Sequence, residues 1–138
     1  MNPADNVPLA TYLATPPKTP PTEASLRGAC GRAYYAAFCS ARDALLVAFK
    51  MAFSGADHAR VASLLKRSSD AQVATAGSLL EQLHEDRKRA DYDVGVRTVK
   101  AFTVPQAQMA VLLAKGVIDE VNRAMKKDKR LFIPPGVT

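Results

Sequence analysis

Arg32-Ala33-Tyr34-Tyr35-Ala36-Ala37-Phe38, followed by Ala41-Arg42, is the stretch on which the fold turns. It lies inside a pattern from about 22 to 52 in which Leu26, Ala29, Cys30, Ala33, Tyr34, Ala37, Phe38, Ala41, Leu45 and Ala48 recur at steps of three and four. That spacing draws one apolar stripe along an α-helix. Small residues dominate the stripe. Gly28 and Gly31 each cost about 1 kcal/mol inside a helix, but with Ala29, Ala33, Ala36 and Ala37 they leave a shaved surface. A close helix pair, within the chain or across a dimer, is the physical reason to accept that cost. Tyr34 reads as core, whereas Tyr35 on the adjacent face is free to stack a base or fill a dimer seam.

Outward from this helix the chain divides readily. Residues 1–21 hold six of the nine prolines. Proline removes a backbone donor and restricts the residue before it, so this proline-rich arm is expected to be extended or irregular, with a short turn around Leu9–Ala14 docking on the body. Thr22 is placed to cap the long helix. Ser54-Gly55 breaks it, and residues 57–67 form a shorter helix that His58 caps or decorates. Ser68-Ser69-Asp70 begins the next, in which Val73, Ala76, Leu79, Leu80 and Leu83 supply the stripe to about 91. A connector after Gly95 leads to Thr103-Val104-Pro105, a start signal with proline in the first turn. Residues 105–127 carry Ala110, Leu113, Ala114, Val117, Val121 and Ala124 on one face. Lys126, Lys127, Lys129 and Arg130 suit the negative end of that helix, and Pro134-Pro135-Gly136 marks a flexible tail over 128–138. The expected fold is all-α: an up-and-down bundle of three long helices plus a short one over 22–127.

With 138 residues there is room for one domain. A formal charge of +6 favours polyanions without choosing between RNA, DNA and acidic proteins; a basic solubility surface explains it equally well. Cys30 and Cys39 fall roughly 13 Å apart along one helix, too far to bridge. Two buried thiols in a reducing compartment account for them, and with no apolar run of membrane-spanning length the protein reads as cytoplasmic. Two histidines, no cysteine pairing and no clustered carboxylates argue against a metal site, and no cofactor motif is present.

The Arg32–Phe38 run with Ala41-Arg42 resembles the signature helix of HEPN-domain proteins. Leu83, Arg87 and Ala90-Asp91-Tyr92 are similar to that family's second landmark, Arg-x-x-Ala-Asp-Tyr. The two landmarks span residues from about 23 to 125. The resemblance implies a HEPN-like helical bundle, usually homodimeric, with the upstream helix of many members replaced here by the proline-rich arm. Catalytic members are metal-independent ribonucleases whose Arg-x4–6-His motifs meet across a dimer. Arg87 matches the arginine, Lys88 the polar residue beside it, and Tyr92 stands at the histidine's spacing. Some members are toxins paired with a nucleotidyltransferase antitoxin that modifies a tyrosine near the motif, which makes Tyr92 a candidate acceptor.

Metal-free RNA cleavage needs a base for the 2′-hydroxyl, an acid for the leaving oxygen and cations for the charge that develops on phosphorus. Arg87 supplies a planar fork for phosphate oxygens, and Lys88 and Arg89 add phosphate affinity without base preference. Tyr92 is a poor base at neutral pH, so the motif is better built to hold RNA than to cut it. His84, one turn before Arg87, can replace the missing titrating group. The favoured alternative is an Arg87–Asp91 ion pair with His84 as a solvated neighbour. Arg32 and Arg42 either line the same groove or pair with Glu81, Glu85 or Asp86. The 126–130 cluster is a solvated helix end or a clamp on RNA backbone. These readings converge on an RNA-directed toxin–antitoxin or phage-defence component, a homodimer through the small-residue helix and the Arg87 helix, with metal-independent endoribonuclease activity. The competing reading is a non-catalytic dimeric module that docks a partner such as a nucleotidyltransferase; a purely structural helical dimer is the third.

Overall fold

Side-chain caps set where the long helices begin. In the computed structural model, which describes residues 6–14, 22–50, 57–92 and 103–136 (for 90–92 the helix path only), Thr22 accepts from the Ser25 amide at 3.1 Å. That bond opens α2, Glu23–Phe49, which follows the short helix α1, Asn6–Ala14. Lys50 ends α2 in the left-handed region at φ 52°. After α3, His58–Lys66, the Asp70 carboxylate accepts from the amides of Gln72 at 2.9 Å and Val73 at 3.1 Å, opening α4, Ala71–Tyr92. Thr103 and Gln106 form a reciprocal capping box that starts α5, Val104–Lys127, with Pro105 in the first turn. Every described element is helical. None of the described helices is long and apolar enough to cross a membrane.

Two polar contacts give the order of the long helices. Arg27 near the start of α2 donates to the Arg89 carbonyl near the end of α4 at 3.0 Å. Asp70 at the start of α4 pairs with Arg123 near the end of α5 at 2.9 Å. Each joins the beginning of one helix to the end of another, so α4 runs antiparallel to both α2 and α5. The short α3 folds back along α4 as the other arm of a hairpin. Both cysteines are buried free thiols.

The small-residue stripe is consumed within one chain. Ala29, Ala33, Ala36 and Ala37 have no exposed surface, because α2 packs against α1, α4 and α5. The close pair expected there is therefore intramolecular, and the stripe is not available as a dimer seam. Gly28 faces Leu13 of α1 at a distance a methyl group would tolerate, 3.6 Å, and Gly31 faces open space. The glycine that a close approach requires is Gly77, where a Cβ would stand 2.7 Å from the Lys66 amide nitrogen and 2.9 Å from the Ala62 carbonyl oxygen.

At the N-terminus a segment around Leu9–Ala14 docks on the body as expected, but as a helix rather than a turn; the C-terminus departs from expectation. The proline-rich arm carries α1, with Pro8 in its first turn, where no intrahelical donor is missed. Ala10 and Ala14 are buried, which gives α1 an apolar side to lay on α2 and α5. The C-terminal segment, expected to fray, is docked. A 3₁₀ turn over Lys129–Phe132 buries the Phe132 ring completely. The Ser68 and Ser69 hydroxyls both donate to the Leu131 carbonyl, and the Ser69 amide donates to Ile133 at 3.2 Å. An aromatic ring two residues short of the prolines outweighs their breaking effect. The expected break at Ser54-Gly55 and the connector after Gly95 lie outside the described residues.

Two mutations test this packing. Gly77→Ala should lower the melting temperature, since a clash with backbone costs about 1–3 kcal/mol, while Gly31→Ala should raise stability by roughly 0.5–1 kcal/mol through helix propensity. Phe132→Ala should cost about 3–5 kcal/mol in urea unfolding, where a frayed tail would show no change.

Candidate functional site

Tyr34 is the buried anchor of the site. Only 1% of its surface is exposed, and burial pushes its phenol well above the usual range, with Arg87 opposing, so the ring keeps its proton. A buried hydroxyl needs a partner, and it pairs with Nδ1 of His58, the first residue of α3. With Nδ1 accepting from the phenol, the imidazole proton sits on Nε2; the other tautomer reverses the roles. His58 thus turns inward rather than capping or decorating its helix.

The same rings form a continuous stack. His58 lies 4.3 Å from Phe38 and 4.9 Å from His84 between ring centroids. His84 lies nearly parallel to Tyr34 at 5.1 Å. A guanidinium closes each side: Arg87 stands over the Tyr34 face at 5.3 Å and Arg42 over Phe38 at 5.8 Å. Against the stack opens a cavity of about 170 Å³, lined by Tyr34, His58, Glu81, His84, Glu85 and Lys88 with Ala59, Ala62 and Leu80 behind them. That space takes a few water molecules or the oxygens of one phosphate.

Both imidazoles are held below the usual histidine range. Burial lowers His58 first, and the Arg87 charge adds to it. Burial also leads for His84, helped by His58 and Lys88 and opposed by Glu85. Both rings are therefore neutral at pH 7. The carboxylates at the rim are already occupied: Glu85 pairs with Lys88 and Glu81 with Lys66, each at 3.0 Å. Among the described residues no group of three or more His, Cys, Asp or Glu is arranged to hold a metal.

Of the residues singled out from the sequence, Arg87, Lys88 and His84 come together here, and Arg42 joins from the far side of the stack. His84 is half-buried against two aromatic rings, not a solvated neighbour. Arg89 points away and pairs with Asp86. Arg32 meets Asn6 of α1 at 3.5 Å, and Tyr35 is 47% exposed outside the cavity. Glu81, Glu85 and Asp86 therefore pair with Lys66, Lys88 and Arg89, and neither Arg32 nor Arg42 takes them. Tyr92 ends α4, but its side chain and that of Asp91 lie outside the described residues, as does any Arg87–Asp91 pair.

His58 and Phe38 were missed as site residues, though one signal for His58 was present. His58 and His84 stand thirteen residues either side of Ala71. A helical hairpin turning at Ser68–Asp70 brings such positions level with each other. No protein-family model, no curated protein and no solved structure matches this chain.

The lowered histidines make stability depend on pH. In the unfolded chain they protonate near pH 6.5, in the folded chain only at lower pH. Between those values the unfolded state alone binds the protons, so stability rises with pH through the window and is complete above it. Thermal denaturation should show the melting temperature falling as pH drops from about 7 to about 5.5, with a flatter profile in His58→Gln/His84→Gln.

Proposed function

We propose that this protein acts on single-stranded RNA, holding a phosphodiester at the His58–His84–Lys88 cavity, beside Arg87, and cleaving it without a metal. The observation that carries the reading is the convergence of two neutral imidazoles and Lys88 on one small cavity, with Arg87 over the adjoining Tyr34 ring and the lining carboxylates Glu81 and Glu85 each paired with a lysine. Metal-free cleavage at this cavity is best served by a nucleophile that the substrate itself brings. The 2′-hydroxyl of RNA is such a nucleophile, and DNA lacks it.

In this scheme neutral His84 takes the 2′-hydroxyl proton. The 2′-oxygen attacks phosphorus, the bond to the 5′-oxygen breaks, and the imidazolium returns its proton to that leaving oxygen. The products are a 2′,3′-cyclic phosphate and a 5′-hydroxyl. Arg87 and Lys88 offset the charge that develops on the phosphorus oxygens. His58, fixed by the Tyr34 hydroxyl, positions His84 through their stacked rings. The resemblance to HEPN proteins adds the biological setting, a toxin–antitoxin or phage-defence component working as a homodimer. It also implies the roles of a partner nucleotidyltransferase and of Tyr92 as its acceptor.

Incubation with mixed cellular RNA in EDTA tests the proposal. Wild-type protein should leave cyclic-phosphate ends, and His84→Gln should lose about 10²–10⁴-fold in rate, with Arg87→Ala also impaired. The rate should climb with pH through a value below the ordinary histidine range and be level at neutrality. Binding without cleavage would reduce the protein to an RNA-binding module. Neither binding nor cleavage would favour the partner-docking module.

A further inference from the structure

Away from the cavity, four cations that make no ion pair among the described residues gather at one end of the molecule, Lys129 beside the Arg130-paired Asp128. Lys126 and Lys127 form the last turn of α5 and Lys129 follows them. Arg67 caps the C-terminus of α3 and precedes Ser68, whose hydroxyl bonds the Leu131 carbonyl two residues beyond Lys129. All four side chains are exposed, and among the described residues none makes an ion pair. The nearby carboxylates are occupied elsewhere: Asp70 and Glu120 by Arg123 at 2.9 and 2.8 Å, and Asp128 by Arg130 at 2.8 Å. These four cations, without an ion pair among the described residues and in a chain of net charge +6, are concentrated where the docked tail meets the α3–α4 turn.

This end is linked to the cavity by one straight element. The nine residues of α3 begin at His58 in the cavity and end at Lys66 beside Arg67, a span of about 12–14 Å. Along that span Lys66 and Lys88 neutralise Glu81 and Glu85, so no unpaired carboxylate of the cavity rim repels a polyanion. Among the described residues the large exposed apolar side chains (Tyr12, Tyr35, Val47, Met109 and Leu112) belong to α1, α2 and α5 before its last turns. An anionic membrane would call for such residues beside the cations; a sugar-phosphate backbone calls for charge alone.

We propose that Arg67, Lys126, Lys127 and Lys129 form a phosphate-tracking exosite that holds a single strand of RNA as it leaves the cavity. This rests on the RNA reading of the cavity and names its substrate class: an extended single strand, not a dinucleotide. Specific bases are not read at this end, because lysine and arginine on phosphates fix register without sequence.

Fluorescence anisotropy with 2′-O-methyl RNA, which cannot be cleaved through the 2′-oxygen, separates binding from chemistry. With a strand of about 16 nucleotides, Lys126→Gln/Lys127→Gln/Lys129→Gln should reduce the slope of log affinity against log salt by about 2 and weaken binding roughly tenfold at physiological salt. A dinucleotide, too short to reach from the cavity to this end, should be affected less than twofold, and His84→Gln should leave the long-strand salt slope unchanged. An unchanged slope in the triple variant overturns the exosite. So does an equal loss for both lengths, which would mean a general charge effect. Binding to phosphatidylserine vesicles that the triple variant loses, with RNA affinity intact, overturns it in favour of a lipid surface. If the triple variant loses long-strand binding and unmodified RNA is nowhere cleaved, the exosite stands and the cleavage proposal falls.

Discussion

Burial of the Tyr34 phenol among α2, α3 and α4 is the constraint on which the rest of the structure depends. The ring fills the middle of the bundle, but its hydroxyl cannot stay there unpaired without a cost of about 1–3 kcal/mol. His58 satisfies it, and in doing so draws the first turn of α3 onto α2. The same ring offers its faces to His84 and Arg87, so one aromatic side chain holds the core, the short helix and the cationic edge in register. Mutation of the core and mutation of the site are therefore not separable at this residue.

That arrangement depends on how closely α3 approaches α4, and the limiting contact is Gly77. With no Cβ at that position, the C-terminal turn of α3 rests on α4 backbone, and the two histidines come level further along the hairpin. Asp70 reinforces the turn from the other side. It caps α4 and pairs with Arg123 of α5, and those contacts hold its carboxyl below the usual carboxylate range. The docked tail closes the same corner through Ser68 and Ser69. Hairpin, cap and tail together fix where His58 can lie.

Much of the candidate site was legible as single residues and little of it as an arrangement. Arg87 and Lys88 stood out because cations crowd the distal half of α4. His84 was seen to share a helical face with Arg87, since i and i+3 positions always do. Its burial was not legible, because that depends on which ring lies across from the face. Arg32 and Arg42 looked equivalent on α2 and proved different: one meets α1 and the other the aromatic stack. The exosite cations were visible as a run near the C-terminus, but Arg67 joins them only because the tail folds back on the α3–α4 turn.

The sequence by itself determined the three long helices, the short α3 between them, their order and the caps that open α2 and α5, but not α1 or the docked tail. Those features rest on local physics: the 3.6-residue apolar period, Thr22 and Thr103 accepting from amides three residues on, and proline in a first turn. The tertiary structure alone decided that the alanine stripe is spent inside the chain, that the tail docks through Phe132, and that His58 meets Tyr34 and His84. Partners separated by 24 residues, as Tyr34 and His58 are, come together only when two helices adopt a particular rotation and depth of packing. No local propensity encodes that choice; it follows from burying an aromatic ring whose hydroxyl must still find a hydrogen bond.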